Sequence, residues 1–167
     1  YSASNDDDVS GNHGGYDYWI VKLNNSGNIQ WQKSLGGGQF DYAESVQQTA
    51  DEGYIIAGYS ESNDGDVSGN HGDYDFWVVK LDNNGNIQWQ KSLGGSSVDF
   101  AKSIQQTADG GYIVAGYSLS NDGDVTGHHN HYDYWIVKLD SSGNIQWQKS
   151  LGGNGEEIAT SARQTTD

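Results

Sequence analysis

Apolar and polar residues alternate with a period of two along most of the chain, in short runs separated by Gly, Asn, Asp and Ser. In Trp77-Val78-Val79-Lys80-Leu81 the residues are β-branched and aromatic, and Trp77, Val79 and Leu81 share one face. The turn Asp82-Asn83-Asn84-Gly85 follows. From Asn86 to Leu93, Ile87, Trp89 and Leu93 lie on one face, with Gln88, Gln90 and Ser92 on the other. This pattern predicts a β-hairpin. A second hairpin is predicted from Ser103–Thr107, the turn Ala108-Asp109-Gly110-Gly111, and Tyr112–Ser118, where Ile113, Ala115 and Tyr117 share a face. No helical period of useful length occurs.

The same four-strand pattern recurs three times. DYWIVKLNNSGNIQWQKSLGG begins at Asp17, DFWVVKLDNNGNIQWQKSLGG at Asp75 and DYWIVKLDSSGNIQWQKSLGG at Asp133, an unbroken period of 58 residues. Tyr1, Tyr59 and Tyr117 are equivalent, as are Asp51, Asp109 and Asp167. We therefore divide the chain into repeats 1–58, 59–116 and an incomplete 117–167, forming one repeat domain. Three full repeats need 174 residues and the chain has 167, so a continuation like GGYIVAG is expected after Asp167. With no Met in the sequence, a longer parent protein is also expected.

Four antiparallel strands per repeat is the unit of a β-propeller blade, and an all-β array of such blades is the expected fold. A β-solenoid is the alternative, although its coils are usually shorter. VVKLDNNGNIQWQKSLGG resembles the blade motif of pyrroloquinoline-quinone-type propellers, in which a strand ending in Leu-Asp meets a Gly turn and then a Trp-bearing strand. The whole repeat is similar to tandem repeats in secreted and surface proteins of Bacteroidota. That resemblance implies a location outside the cell or on a bacterial cell surface.

A polar loop of unusual regularity precedes each Asp-aromatic strand. DGDVSGNHGDYD, residues 64–75, can be counted as a twelve-residue calcium loop. Asp64, Asp66, Ser68 and Asp75 then hold the oxygen positions, Gly69 the turn and Asn70 the backbone-carbonyl position. The first copy supplies Asp6, Asp8, Ser10, Asn12 and Asp17; the third supplies Asp122, Asp124, Thr126, His128 and Asp133. A hard dication needs several oxygens gathered from one short segment, and alternate side chains around a glycine turn can supply them. The loops depart from the EF-hand in ending on Asp rather than Glu and in lying between strands. In that respect they resemble the calcium loops of integrin α-subunit propellers. One Ca2+ per repeat, three in all, is the expectation; a plain Asx-type turn is the simpler reading.

Composition agrees with cation binding and narrows the partners. The net charge is -15, from 8 Lys+Arg against 23 Asp+Glu, which disfavours nucleic acid and anionic membranes. Aromatic content of 12% is high for a disordered acidic chain. There is no Cys, so disulfides play no part. No apolar run approaches a membrane span.

His13, His71 and His129 recur at loop position 8, and His128 and His131 join the third copy. They read as exposed loop residues turned away from the ion in preference to a Zn2+ or Ni2+ site. The sets Trp19/Trp77/Trp135 and Trp31/Trp89/Trp147 read as packing between repeats in preference to sugar stacking. Tyr16, Tyr74 and Tyr132, beside the loop, are better placed for an exposed contact, with packing as the equal alternative. SLGG lacks the helix and the Lys-Ser/Thr of a phosphate cradle. Glu156-Glu157 is an acidic pair found only in the third repeat. No nucleophile–base–acid set is evident, and three copies of one surface suit avidity or structure better than catalysis.

The expected function is a non-catalytic, calcium-binding extracellular module with a structural, adhesive or protein-interaction role. It would associate with itself or with neighbouring repeats. The alternatives are a carbohydrate-binding module, with glycans as partners, and an accessory region of a secreted hydrolase.

Overall fold

In the computed structural model, residues 1–165 are described, and Asp167, the expected counterpart of Asp51 and Asp109, lies outside them. Ten strands follow one another without a helix among the described residues. They are β1 (Tyr18–Leu23), β2 (Ile29–Leu35), β3 (Asp41–Gln48), β4 (Tyr54–Ser60), β5 (Asp75–Leu81), β6 (Ile87–Leu93), β7 (Asp99–Gln106), β8 (Tyr112–Ser118), β9 (Asp133–Leu139) and β10 (Ile145–Leu151). The all-β expectation and both predicted hairpins hold, β5/β6 and β7/β8 pairing antiparallel. Gly27, Gly85 and Gly143 close the first hairpin turn of each repeat at φ 79–80°, a left-handed conformation that favours glycine.

Hydrogen bonding sets the phase of the repeat. The strands form one two-stranded sheet, β1-β2, and two four-stranded sheets, β3-β4-β5-β6 and β7-β8-β9-β10. Each four-stranded sheet therefore joins the second hairpin of one sequence period to the first hairpin of the next. The polar loop lies inside the sheet, linking its two middle strands, with Ser60 paired to Asp75 and Ser118 to Asp133. The bridge Ser2–Asp17 repeats this pairing at the head of β1. The chain crosses from sheet to sheet at the SLGG connections.

The sheets pack through both faces. Strand alternation sends Trp77, Val79 and Leu81 of β5 towards Tyr18 and Leu35 of the first sheet. Phe76 and Val78 point the opposite way and join Val114, Trp135, Val137 and Leu139 of the last sheet. Tyr18 packs against Trp77 and Phe76 against Trp135 with tilted rings, each with ring centroids 4.5 Å apart. The Tyr18 hydroxyl donates to the Trp77 carbonyl at 2.9 Å. Trp77 and Trp135 are fully buried, so the packing role expected for them holds.

Strand β7 lies against β3, β4 and β5, yet no backbone ladder joins the two four-stranded sheets. Side chains make the rungs instead: Ile104 N–H donates to Ser45 Oγ at 3.3 Å and Gln106 N–H to Gln47 Oε1 at 2.7 Å. The rungs recur one repeat later, from Ala162 N–H to Ser103 Oγ at 3.5 Å and from Gln164 N–H to Gln105 Oε1 at 3.2 Å.

Candidate functional site

The polar loops are held from four directions. At position 4, Val67 and Val125 are buried in the apolar clusters and pin the loop to the sheets. At position 5, Ser68 Oγ accepts from Gln90 Nε2 at 2.5 Å, while Gln90 Oε1 accepts from the Trp77 indole at 2.9 Å. Ser10 and Gln32, and Thr126 and Gln148, repeat the contact. At position 7, Asn70 Nδ2 donates to the carbonyls of Ser60 and Asp73 at 2.9 and 3.2 Å, closing the loop base. Asn12 does the same with Ser2 and Gly15 at 3.1 and 3.2 Å. His128, in the third copy, instead meets the His131 carbonyl at 2.6 Å.

The loop carboxylates go to different places. Asp64 Oδ1 accepts from Gly38 N–H at 2.8 Å, and Asp122 Oδ1 from Ser96 N–H at 2.7 Å. Asp66 and Asp124 each clamp a glycine. Their N–H groups donate to the carbonyls of Gly36 and Gly94 at 2.9 Å, and their Oδ2 atoms accept from the same glycines' N–H at 3.3 Å. The loop thus latches onto the connection from the preceding sheet. Asp6, Asp8 and Ser10 in the first copy are exposed.

Asp17, Asp75 and Asp133, at loop position 12, are fully buried. Each holds the histidine four residues earlier. The Nδ1 atoms of His13, His71 and His129 lie 2.8, 2.7 and 2.8 Å from these carboxylates, and the histidine N–H groups donate to the same oxygens at 2.9 Å. His13 Nε2 also lies 4.0 Å from Asp66 Oδ2. The three histidines are exposed, as expected, and each also reaches the buried carboxylate at position 12. A buried carboxylate needs donors, and the imidazole four residues away supplies one.

These positions do not form a twelve-residue cation cage. Among the described residues, no three His, Cys, Asp or Glu side chains converge as a metal-binding group. Asp64, Asp66, Ser68, Asn70 and Asp75 each serve a separate hydrogen-bonding partner, and so do Asp122, Asp124, Thr126, His128 and Asp133 in the third copy. A Ca2+ ion needs six to eight oxygens around one point at about 2.3–2.6 Å, so the second and third loops would have to redirect these side chains to hold one.

A second set of carboxylates was not singled out from the sequence. Asp41 and Asp99 open β3 and β7 and are fully buried. Asp99 Oδ2 accepts from Gly95 N–H at 2.9 Å and from Ser120 Oγ at 2.8 Å. Asp41 has matching partners in Gly37 and Ser62, and Ser60 also donates to it. Glu157 occupies this position in the third copy, where its Oε2 accepts from Gly153 N–H at 2.9 Å. The signal was available, because these acids and the serines recur at the repeat spacing. It was hidden by their polar character, which suggested exposed turns.

Two buried carboxylates thus meet at each of the first two SLGG connections. A Cβ on Gly94 would fall 2.6 Å from Asp75 Oδ1 and 2.5 Å from Asp99 Oδ2, so only glycine fits there. The Oδ1 atoms of Asp17, Asp75, Asp99 and Asp133 have no hydrogen-bond partner among the described residues. Burial raises the pKa of Asp41 and Asp75 above the ordinary carboxylate value. It pushes Asp99 up to about 6 against the hydrogen bonds from Gly95 and Ser120, with the Asp75 charge adding to the rise. In comparisons with known proteins, no family model and no curated protein matches the chain.

Proposed function

We propose that the chain is a non-catalytic module of propeller-type blades that presents one interaction surface per repeat outside the cell. One observation carries this reading: the polar groups recur in the same setting in successive repeats. The His–Asp contacts measure 2.8, 2.7 and 2.8 Å. The Trp indole–Gln contacts measure 3.0, 2.9 and 2.9 Å. Catalysis calls for one asymmetric constellation, whereas repetition suits avidity or scaffolding.

Four-stranded sheets joined by side-chain rungs support blades over solenoid coils, whose neighbours share backbone ladders. The outward faces support association with further repeats, in a longer chain or in a second copy. Leu23 is 54% exposed at one side and Tyr134 38% exposed at the other, whereas their equivalents Leu81 and Phe76 are fully buried between sheets. Each outer face is one half of an interface that is complete inside the molecule, so head-to-tail contact is the expected mode.

The test is turnover. Purified protein should leave polysaccharide, ester and alcohol substrates unchanged. Sustained turnover abolished by a single point substitution would refute the reading. Light scattering coupled to size exclusion should show mass rising with concentration, and a monomer at every concentration would count against the association.

A further inference from the structure

One end of the sheets carries a continuous aromatic ridge. Tyr42 pairs with Tyr59 across β3 and β4, and Phe100 pairs with Tyr117 across β7 and β8. The ring centroids are 5.1 and 5.2 Å apart within these pairs, and Tyr59–Phe100, at 4.7 Å, joins one sheet to the next. Tyr74, which immediately precedes β5, lies 5.5 Å from Tyr59; Tyr132, before β9, lies 5.1 Å from Tyr117. At the other extreme Tyr1 and Tyr16 lie 4.7 and 5.5 Å from Tyr42, and Phe40 stands beside them. Tyr1, Tyr16 and Phe40 are 58, 38 and 41% exposed, and the remaining rings are partly exposed.

The ridge is mixed in chemistry. Lys102 Nζ lies 4.9 Å from the Tyr59 ring centroid and 6.0 Å from that of Tyr117, and it contacts Glu44 at 2.7 Å. The nearby Glu61 charge adds an acidic group beside Tyr74. Burial raises the phenol pKa values of Tyr42, Tyr59 and Tyr117 and pushes Tyr74 up to about 12, so these hydroxyls remain donors at neutral pH.

We propose that this ridge binds the pyranose rings of an uncharged polysaccharide. The proposal rests on the interaction-module reading above and names the ligand class of its surface. A sugar offers an apolar C–H face to an aromatic ring and a rim of hydroxyls to phenols, carboxylates and an ammonium group. The ridge supplies all of these within single ring-to-ring distances. An aliphatic protein face would leave the phenols without partners. The net charge of -15 repels polyanionic glycans. A surface repeated along the array matches a ligand with a repeated unit, where several weak contacts add up to useful avidity.

The experiment is native affinity electrophoresis of the full chain in gels containing laminarin, galactomannan, arabinoxylan or hydroxyethyl cellulose, with alginate as the anionic control. Retardation is expected in at least one neutral gel. It should fall at least about tenfold in apparent affinity for Tyr16→Ala/Phe40→Ala, two exposed rings whose loss should leave the melting temperature unchanged. Lys102→Ala, which keeps every ring, should weaken binding less. Absence of retardation in every neutral gel would overturn the proposal, as would retardation by alginate alone or binding that survives the double substitution. Dimerisation lost in the same double variant, with no sugar binding, would assign the ridge to a second copy and overturn it too. None of these results would depend on turnover, so the proposal can fail while the non-catalytic reading stands.

Discussion

Replacing Asp99 by Asn should stabilise the protein at neutral pH. The carboxyl is fully buried and holds its proton up to about pH 6, against an ordinary value of 3.8. The folded state therefore binds more protons than the unfolded state between those two values. Stability from this group is complete below about pH 4 and is lost as pH rises through 6. A displacement of about two units at 1.36 kcal/mol per unit corresponds to about 3 kcal/mol lost by neutral pH, an upper figure. Asn keeps an oxygen for Gly95 N–H and Ser120 and carries no charge to desolvate. Asp99→Asn should thus gain about 1–3 kcal/mol at pH 7.5 and little at pH 4.5. Urea unfolding followed by tryptophan fluorescence at steps from pH 4.5 to 7.5 measures this directly. The wild-type curve should fall across that range, and the variant's curve should fall less steeply. The residual slope would come from Asp41 and Asp75, whose pKa values are raised by the same cause. Parallel profiles, with no gain at pH 7.5, would refute the reasoning.

Asp51 works in the opposite sense. Its hydrogen bond with Lys80, 2.8 Å away, and then that with Thr49 lower its pKa to about 2, so it stabilises above the ordinary carboxylate pKa and loses that contribution as pH falls towards 2. Because its side chain is half exposed, Asp51→Asn should cost only about 1 kcal/mol at pH 7 and nothing near pH 2, by urea unfolding at both. Trp77→Ala, at a fully buried site between sheets, should cost about 3–5 kcal/mol by chemical denaturation. Trp147→Ala, at the equivalent of Trp89 but 47% exposed, should cost below about 1 kcal/mol. Calcium and chelator should give melting temperatures within about 2 °C of each other, because the carboxylates of the second and third loops are engaged elsewhere. A rise above about 5 °C in millimolar Ca2+ would show that these oxygens regroup around an ion.

The candidate site was legible only in part. The loops, their recurrence and the importance of Asp17, Asp75 and Asp133 were visible from spacing. Their partners were not. An Asp-x-Asp-x-Ser-Gly run can fold its oxygens inwards around an ion or outwards onto neighbouring N–H groups, and local spacing is the same in both cases. The choice depended on Gly36, Gly38, Gly94 and Ser96, which lie 26–30 residues away along the chain. The aromatic ridge was hidden for a similar reason. Tyr42 and Phe100 were not recognised as part of a surface until strand pairing set them beside Tyr59 and Tyr117.

By itself, the sequence determined the strands, the hairpin turns, the 58-residue period and which face of each strand is apolar, because these follow from alternation and turn chemistry within a few residues. Only the tertiary structure decided where one sheet ends and the next begins. A period has no inherent phase, and the same hairpins could be grouped on either side of the polar loop. Pairing of Ser60 with Asp75 put the loop inside the sheet. That choice brought Asp75 and Asp99 together around Gly94 and aligned the aromatic rings along one end. Both outcomes depend on contacts between residues far apart in the chain, which no local pattern encodes.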